Sequence, residues 1–228
     1  KVLETLHPES LIYHCKGNHF SNWLAARTEF TIADDVRGWS VDAFGDVEGL
    51  RLGLIKVLSQ FETSKQRGLV TDFVRSENPL YRDFSRIGRG SMGGKARSIA
   101  FAGAVLAHDP IHERYPDVRI YVPHTTVICS GVFNAFCETQ DLRVRALASE
   151  DNAEVAKMFL NQPLTQELMA DLEAILSEVR YPLAIRSSSF SEDSAFQPLA
   201  GFFETVILPN NAQSITTRIE EVSKAIRF

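Results

Sequence analysis

The sequence predicts a protein of the α+β (α/β) class, with a small helical unit over residues 1–85 and a mixed unit over residues 86–228. Apolar residues at helical spacing dominate the first part of the chain. In the second part, helical patterns alternate with short β-branched runs, which is typical of α/β and α+β units. A polar stretch over Ser76–Arg86, which contains Pro79, marks the predicted boundary between the two.

Three segments predict the helices of the first unit. HFSNWLAAR places Phe20, Trp23 and Leu24 on one face, and TIADDVRGW follows it and ends at Gly38. The longest segment, DVEGLRLGLIKVLSQFE, has apolar residues at helical spacing behind Asp46, a residue type that favours the N-cap. Two glycines inside this segment lower its helix propensity by up to about 1 kcal/mol each. We therefore expect its apolar face to be buried.

The second unit begins with a glycine-rich stretch and a helix over Lys95–Ala107. Its β-branched runs over Arg119–Ser130 predict one or two strands, and a short helix is expected from Gly131. A strongly amphipathic helix over Leu164–Arg180 leads into YPLAIRSSS, a strand candidate, and FFETVILP is another. The last segment, IEEVSKAIRF, has a helical pattern and ends at Phe228.

Composition excludes several classes of function. The 228 residues carry a net charge of −5, which provides no basic surface for non-specific nucleic-acid binding, so we expect no nucleic-acid partner. The longest apolar run, IAFAGAVLA, is too short to span a bilayer, and no membrane partner is expected. Three cysteines without a CxxC pair indicate a reduced, cytoplasmic setting. Because the chain begins at Lys1 without a methionine and ends inside a predicted helix, we expect it to be a piece of a longer protein.

The stretch GRGSMGGKARS, which begins at Gly88, resembles several phosphate-binding loops but matches two of them poorly. The dinucleotide fingerprint requires a hydrophobic strand before the loop, whereas the preceding YRDFSRI is polar. The Walker A pattern fails at Arg89, where it requires glycine, and at Ala96, where it requires a hydroxyl. What remains is Gly93-Gly94-Lys95 at a helix start, where backbone amides and a lysine favour an anion. A flexible glycine hinge with a solvated lysine is the other interpretation, and both stay open here.

A second cluster, PLAIRSSSFSEDS, places Arg186 at the end of a short apolar strand, followed by Ser187–Ser189. The guanidinium fork matches phosphate oxygens, and the hydroxyls supply further donors. The alternative is an arginine paired with Glu192 or Asp193 beside an ordinary serine loop.

Together the two clusters resemble the phosphoenolpyruvate synthase and pyruvate phosphate dikinase family. GGKARSIAF, VRIYVPHTTVI, PLAIRSSSFSEDS and LAGFFETVIL occur in the order found in the nucleotide-binding domain of that family. The resemblance covers about residues 86–228 and implies that the second unit is the first subdomain of an ATP-grasp-like fold, truncated at residue 228. It does not cover the helical unit.

The resemblance also implies the roles of particular residues. Lys95 and Arg186 would hold the nucleotide phosphates during phosphoryl transfer. The family moves the β-phosphoryl of ATP onto a histidine of a downstream domain, and from there to pyruvate or another acceptor. ATP and Mg²⁺ are the implied cofactors, with the metal ligands expected beyond residue 228. The cofactor-binding residues implied in this chain are Gly93, Gly94, Lys95, Arg186, Ser187, Ser188, Glu204 and Thr205.

Two function classes follow. The first is the ATP-binding part of a dikinase-like phosphotransferase, a transferase that also involves pyruvate or phosphoenolpyruvate through other domains. The isolated chain is expected to be inactive, because none of its six histidines has the Gly-x-Thr-Ser-His context of the family's phosphoryl acceptor. The second is a non-catalytic module that senses a nucleotide or phosphoenolpyruvate. Phe202-Phe203, where relatives commonly carry glutamines, and the unexplained helical unit favour this alternative.

Overall fold

The computed structural model describes residues 2–109, 111–189 and 203–228. The chain forms two compact units, Lys1–Gln66 and Arg67–Phe228, so the division falls after Gln66 and not after residue 85. The reason is that residues 70–72 and 84–87 form strands that pair within the second unit. The predicted fold class is confirmed, because a helical unit precedes a mixed, mostly helical α/β unit.

The first unit is built from helices around one apolar cluster. Leu11, Leu24, Ile32, Leu50 and Leu54 are buried together in it. Its elements are α1 (Val2–Thr5), α2 (Pro8–Lys16), α3 (His19–Ala25), α4 (Phe30–Asp35), α5 (Val41–Phe44) and α6 (Val47–Gln66).

Helix α6 begins as the sequence predicts. The Asp46 carboxylate accepts a hydrogen bond of 2.6 Å from the backbone N–H of Gly49, which satisfies one of the free amides at the helix start. Gly53, which lowers the helix propensity, lies against the ring of Phe44, and a Cβ there would come within 2.6 Å of that ring. The glycine inside the helix thus allows the preceding short helix to pack closely against it.

The second unit combines a parallel sheet, a two-stranded antiparallel sheet and the helices around them. Within the described residues, no helix of either unit is both long and apolar enough to cross a membrane. The strands are β1 (Val70–Asp72), β2 (Phe84–Ile87), β3 (Thr125–Ile128), β4 (Leu183–Arg186) and β5 (Thr205–Leu208). The helices are α7 (Gly94–His108), α8 (Ile111–Arg114), α9 (Ser130–Glu138), α10 (Leu142–Ala148), α11 (Asn152–Asn161), α12 (Gln166–Glu178) and α13 (Ile215–Arg227).

Strands β1, β2 and β3 pair in that order, and all of them run parallel. Strand β2 is therefore central, and the segments after β2 and β3 leave the sheet at the same edge. Strands β4 and β5 form the antiparallel pair, in which Arg186 lies directly opposite Thr205. The inner face of this pair packs with α12 and α13 around Leu172, Leu176 and Val222.

The polar segment before the glycine loop is a strand, which corrects the sequence interpretation of YRDFSRI. Phe84 and Ile87 are buried, and the polar residues between them have partners on the neighbouring strands. The hydroxyl of Ser85 lies 3.1 Å from that of Thr126 on β3. The guanidinium of Arg86 donates to the Asp72 carboxylate on β1 over 2.6 Å. Because such pairs form only across strands, a polar central strand carries no clear local pattern.

That ion pair sits at the exposed end of β1. The hydrogen bond from Arg86, together with its positive charge, lowers the pKa of the Asp72 carboxyl below its ordinary value. The pair fixes the register of β1 against β2 at the edge of the sheet where the glycine loop begins.

The strand predicted over Arg119–Ser130 is present only at Thr125–Ile128, where it pairs with β2. Residues 119–124 form no regular element. Pro123 lacks the N–H that a sheet ladder requires, so the pairing begins after it.

A buried arginine joins α13 to the end of α12. Arg218 is 0% exposed, and its Nη1 donates to the carbonyl oxygens of Leu176 and Val179 over 2.7 and 3.2 Å. The side-chain amide of Asn210 donates to the same Val179 carbonyl and to that of Tyr181. A cation is favourable beside the carbonyls at a helix C-terminus. These bonds fix the chain between α12 and β4.

Removing a buried side chain from α6 should destabilise the first unit. Leu54 is 1% exposed, so Leu54→Ala should lower the free energy of unfolding by about 2–5 kcal/mol through lost burial and the cavity left behind. The control is Leu52→Ala in the same helix, where the side chain is 64% exposed and the change should stay within about 0.5 kcal/mol. Urea unfolding followed by tryptophan fluorescence measures both, because Trp23 and Trp39 both lie in this unit. Equal effects of the two substitutions would contradict the packing of α6.

Candidate functional site

The glycine loop, residues 88–93, connects β2 to α7 at the carboxyl end of the parallel sheet. Ligands of open α/β sheets bind at this edge, where helices begin and their amides point outward. Helix α7 begins at Gly94, so Lys95 is its second residue. The predicted helix start after the glycines is confirmed.

The first half of the loop is held against the start of α9. The backbone N–H of Ser91 donates to the hydroxyl of Ser130, and the N–H of Ser130 donates to the carbonyl of Ser91, both over 2.9 Å. The N–H of Gly131 donates to the carbonyl of Arg89 over 2.8 Å. These bonds give residues 89–91 a defined conformation.

The second half of the loop contacts the serine loop that follows β4. Gly93, with φ of +80°, lies so close to Ser188 that a Cβ would overlap the carbonyl oxygen of Ser188. The hydroxyl of Ser188 accepts a hydrogen bond of 2.9 Å from the backbone N–H of Ala96 in the first turn of α7. The two motifs singled out in the sequence are therefore neighbours in the fold.

Arg186 ends β4 with its side chain on the exposed face of the antiparallel pair. Its guanidinium forms no hydrogen bond or ion pair with a residue that the structure describes, and Glu192 and Asp193 lie outside the described residues. Thr205, directly opposite on β5, is exposed on the same face, and Glu204 precedes it, also exposed. A cation and a hydroxyl thus stand side by side on an open surface.

The predicted site residues form two groups joined at one point. Gly93, Gly94 and Lys95 lie at the start of α7, and Lys95 is half-buried. The other group lies on β4, β5 and the serine loop and consists of Arg186, Ser187, Ser188, Glu204 and Thr205. The joining contact is that of Ser188 with Gly93 and Ala96. Of the two phenylalanines expected to affect nucleotide contacts, Phe202 lies outside the described residues, and Phe203 is partly exposed beside Glu204.

Sequence reasoning missed the residues that support the loop. Ser130 braces it from α9, and the Arg97 guanidinium donates to the carbonyl of Gly93 over 3.2 Å. No local pattern connects Ser91 with Ser130, which follows it by 39 positions. Arg97 could be recognised from the sequence, because a long side-chain donor four residues after a glycine N-cap can reach back along the helix to the carbonyl of that glycine.

The histidines of α2 and α3 form a ring cluster and not a metal site of the usual kind. The Nδ1 atoms of His14 and His19 are 2.9 Å apart, while Cys15 between them is buried in the core. Within residues 2–109, 111–189 and 203–228, no group of three or more histidine, cysteine or acidic side chains could hold a metal ion.

Comparison with known families gives one match. The family model described as pyruvate phosphate dikinase, AMP/ATP-binding domain, matches residues 89–227. The resemblance stated from the sequence is confirmed by this match, which begins inside the glycine loop and includes β4, β5 and the serine loop between them. Comparisons with curated proteins and with solved structures gave no significant match.

The close approach at Gly93 predicts a sharp difference between two adjacent glycines. Gly93→Ala should lower the free energy of unfolding by about 1–3 kcal/mol, because the new Cβ meets Ser188 and the left-handed backbone is strained. Gly94→Ala should stay within about 1 kcal/mol of the wild type or stabilise it, since the nearest atom to its Cβ lies 3.6 Å away. Urea unfolding followed by circular dichroism measures both changes. If Gly93→Ala proved as stable as Gly94→Ala, the contact with Ser188 would be contradicted.

Proposed function

Because the match covers more than half of its length, the chain belongs to the pyruvate phosphate dikinase AMP/ATP-binding domain family, and we propose that it is the ATP-binding part of a dikinase-like phosphotransferase. In this proposal the β-phosphoryl of ATP moves to a histidine of a downstream domain, AMP is released with the α-phosphoryl, and the γ-phosphoryl passes to water or inorganic phosphate. The phosphohistidine then passes its phosphoryl group to pyruvate or another acceptor. The observation that carries the proposal is the meeting of the two cationic motifs at Ser188.

Lys95 and Arg186 are the proposed phosphate ligands. Lys95 lies in the first turn of α7, where the amides and the helix dipole favour an anion. Arg186 lies on the exposed face of β4, and the serine loop between these two groups packs directly on Gly93. Ser187, Glu204 and Thr205 complete the proposed nucleotide contacts on the side of β4 and β5. Gly93 and Gly94 keep the backbone free of side chains at the start of the helix.

The residues proposed here suit the electrostatic part of phosphoryl transfer. The transition state of such a transfer is loose, and catalysis consists mainly of positioning and of stabilising negative charge on the phosphoryl oxygens. A lysine and an arginine remain cationic at neutral pH without special tuning. They would hold the phosphates in line while the acceptor, supplied from outside this chain, approaches.

Mg²⁺ would neutralise part of the phosphate charge when bound. In this proposal its protein ligands lie in a downstream domain, as the resemblance to the family implies. The roles proposed for Lys95 and Arg186 do not depend on the metal.

A second candidate function is a sensor that binds ATP or phosphoenolpyruvate without catalysis. The observation that favours it is Phe203, an exposed apolar residue beside Glu204 where the resemblance to the family implies glutamine. The two functions share the phosphate site and differ in whether label from ATP reaches the protein.

Removal of either cation should weaken ATP binding to this chain. A hydrogen bond to a charged group contributes about 1.5–3 kcal/mol, so Lys95→Ala and Arg186→Ala should each weaken binding by about tenfold or more. Arg180→Ala is the control, because Arg180 is also an exposed arginine but precedes β4 at the end opposite Arg186. Isothermal titration calorimetry with ATP measures all three. Equal affinities for the wild type, Lys95→Ala and Arg186→Ala would refute the proposed site.

Phosphoryl transfer is tested with ATP labelled at the β-phosphoryl. In a protein that continues through the proposed downstream domains, label should be retained on the wild type and lost in Arg186→Ala. The 228-residue chain alone should form no AMP above the level without protein, because it lacks a histidine in the acceptor context. ATP binding without any retained label on the longer protein would favour the sensor, and AMP formation by the isolated chain would contradict the assignment of the acceptor to another domain.

A further inference from the structure

We propose that Ser188 is a positioning residue, whose hydroxyl caps α7 from the neighbouring loop and thereby couples Lys95 to Arg186. This inference rests on the proposed function, because it concerns how the two proposed phosphate ligands act together. It assigns to Ser188 a role other than direct contact with the nucleotide.

The first observation is the position of the hydrogen bond. Helix α7 begins at Gly94, so the amide of Ala96 is the third of its first turn. Where a helix has a side-chain N-cap, the side chain of the N-cap residue accepts a hydrogen bond from this amide or the one before it. The N-cap of α7 is Gly93, which has no side chain, and the Ser188 hydroxyl accepts from the Ala96 N–H instead, over 2.9 Å. The cap therefore comes from a residue 92 positions away.

The second observation explains why the local cap is absent. The space that a side chain at Gly93 would occupy is filled by Ser188, whose carbonyl oxygen and hydroxyl both lie there. A serine or aspartate at position 93 would collide with the serine loop. The glycine and the distant serine thus fit together as a pair, since one leaves the space and the other supplies the missing acceptor.

The consequence concerns the two cations. Lys95 precedes Ala96 in the capped turn, and Arg186 lies two residues before Ser188 at the end of β4. The hydrogen bond therefore ties the turn that carries one cation to the loop that follows the other. With the cap in place, the backbone segments that carry the two charges have a fixed relation before ATP arrives, and less ordering is required on binding. Without it, the serine loop is free to move away from α7.

A direct phosphate contact by Ser188 is the competing role. A hydroxyl has one donor and two acceptor sites, so it could accept from Ala96 and donate to a phosphate oxygen. The two roles differ in one measurable property. Loss of a direct contact lowers the affinity for ATP but leaves the energetic coupling between Lys95 and Arg186 unchanged. Loss of a positioning residue changes that coupling.

The test is a double-mutant cycle carried out in two backgrounds. ATP affinity is measured by calorimetry for the 228-residue chain, for Lys95→Ala, for Arg186→Ala and for the double variant, and then again with Ser188→Ala added to each. In the wild-type background we expect coupling, so the double variant should lose less than the product of the single losses. With Ser188→Ala, the losses should become multiplicative, and ATP binding should weaken by about fivefold, the equivalent of one side-chain cap.

Two further variants make the result specific. Ser188→Thr keeps an acceptor oxygen and should restore both affinity and coupling. Ser187→Ala removes the adjacent hydroxyl and should weaken binding while leaving the coupling intact. Hydrogen exchange at the Ala96 amide reads the cap without any ligand, and it should accelerate about fivefold or more in Ser188→Ala but not in Ser187→Ala.

The possible results separate this inference from the proposed function. Coupling that persists in Ser188→Ala, tighter ATP binding by Ser188→Ala, or unchanged exchange at Ala96 would each overturn the positioning role. If neither cation variant alters ATP binding, the proposed phosphate site fails, and the positioning role fails with it even where Ala96 exchange confirms the cap. Loss of coupling together with rescue by Ser188→Thr supports both.

Discussion

The contact between Gly93 and Ser188 is the constraint on which the candidate site depends. It brings a loop of the antiparallel pair onto the first turn of α7 and leaves room for no side chain at position 93. The hydrogen bond from Ala96 to the Ser188 hydroxyl completes the contact and satisfies an amide that the glycine cap cannot reach. Through this contact, two motifs about 90 residues apart in the sequence become neighbours in the fold.

Each side of that contact has its own support. On the side of the parallel sheet, the glycine loop is held by reciprocal hydrogen bonds between Ser91 and Ser130, and β2 is fixed by polar partners on both neighbouring strands. On the other side, β4 and β5 lie on the apolar cluster of α12 and α13, and the buried Arg218 binds the carbonyls at the end of α12. The residues of the proposed site thus stand on elements that are well packed, which is the arrangement that positioning a ligand requires.

The proposed phosphate site is positively charged although the chain as a whole is mildly acidic. The site consists of Lys95, Arg186 and the amides of a helix start. Local cations in an acidic protein favour a specific small anion over a nucleic acid, whose recognition requires an extended basic surface. Membership of the AMP/ATP-binding domain family agrees with this distribution of charge.

The sequence by itself determined the features that depend on neighbouring residues. Helical spacing located α6, α7 and α12, because amphipathic periodicity is a local property, and the order of the two cationic motifs identified the family. Only the tertiary structure decided the rest. Strand β2 was missed, because Ser85 and Arg86 become compatible with a central strand only through partners on β1 and β3. The sequence also did not predict that Ser188 caps α7, since a hydrogen bond between residues 92 positions apart leaves no pattern in the sequence between them.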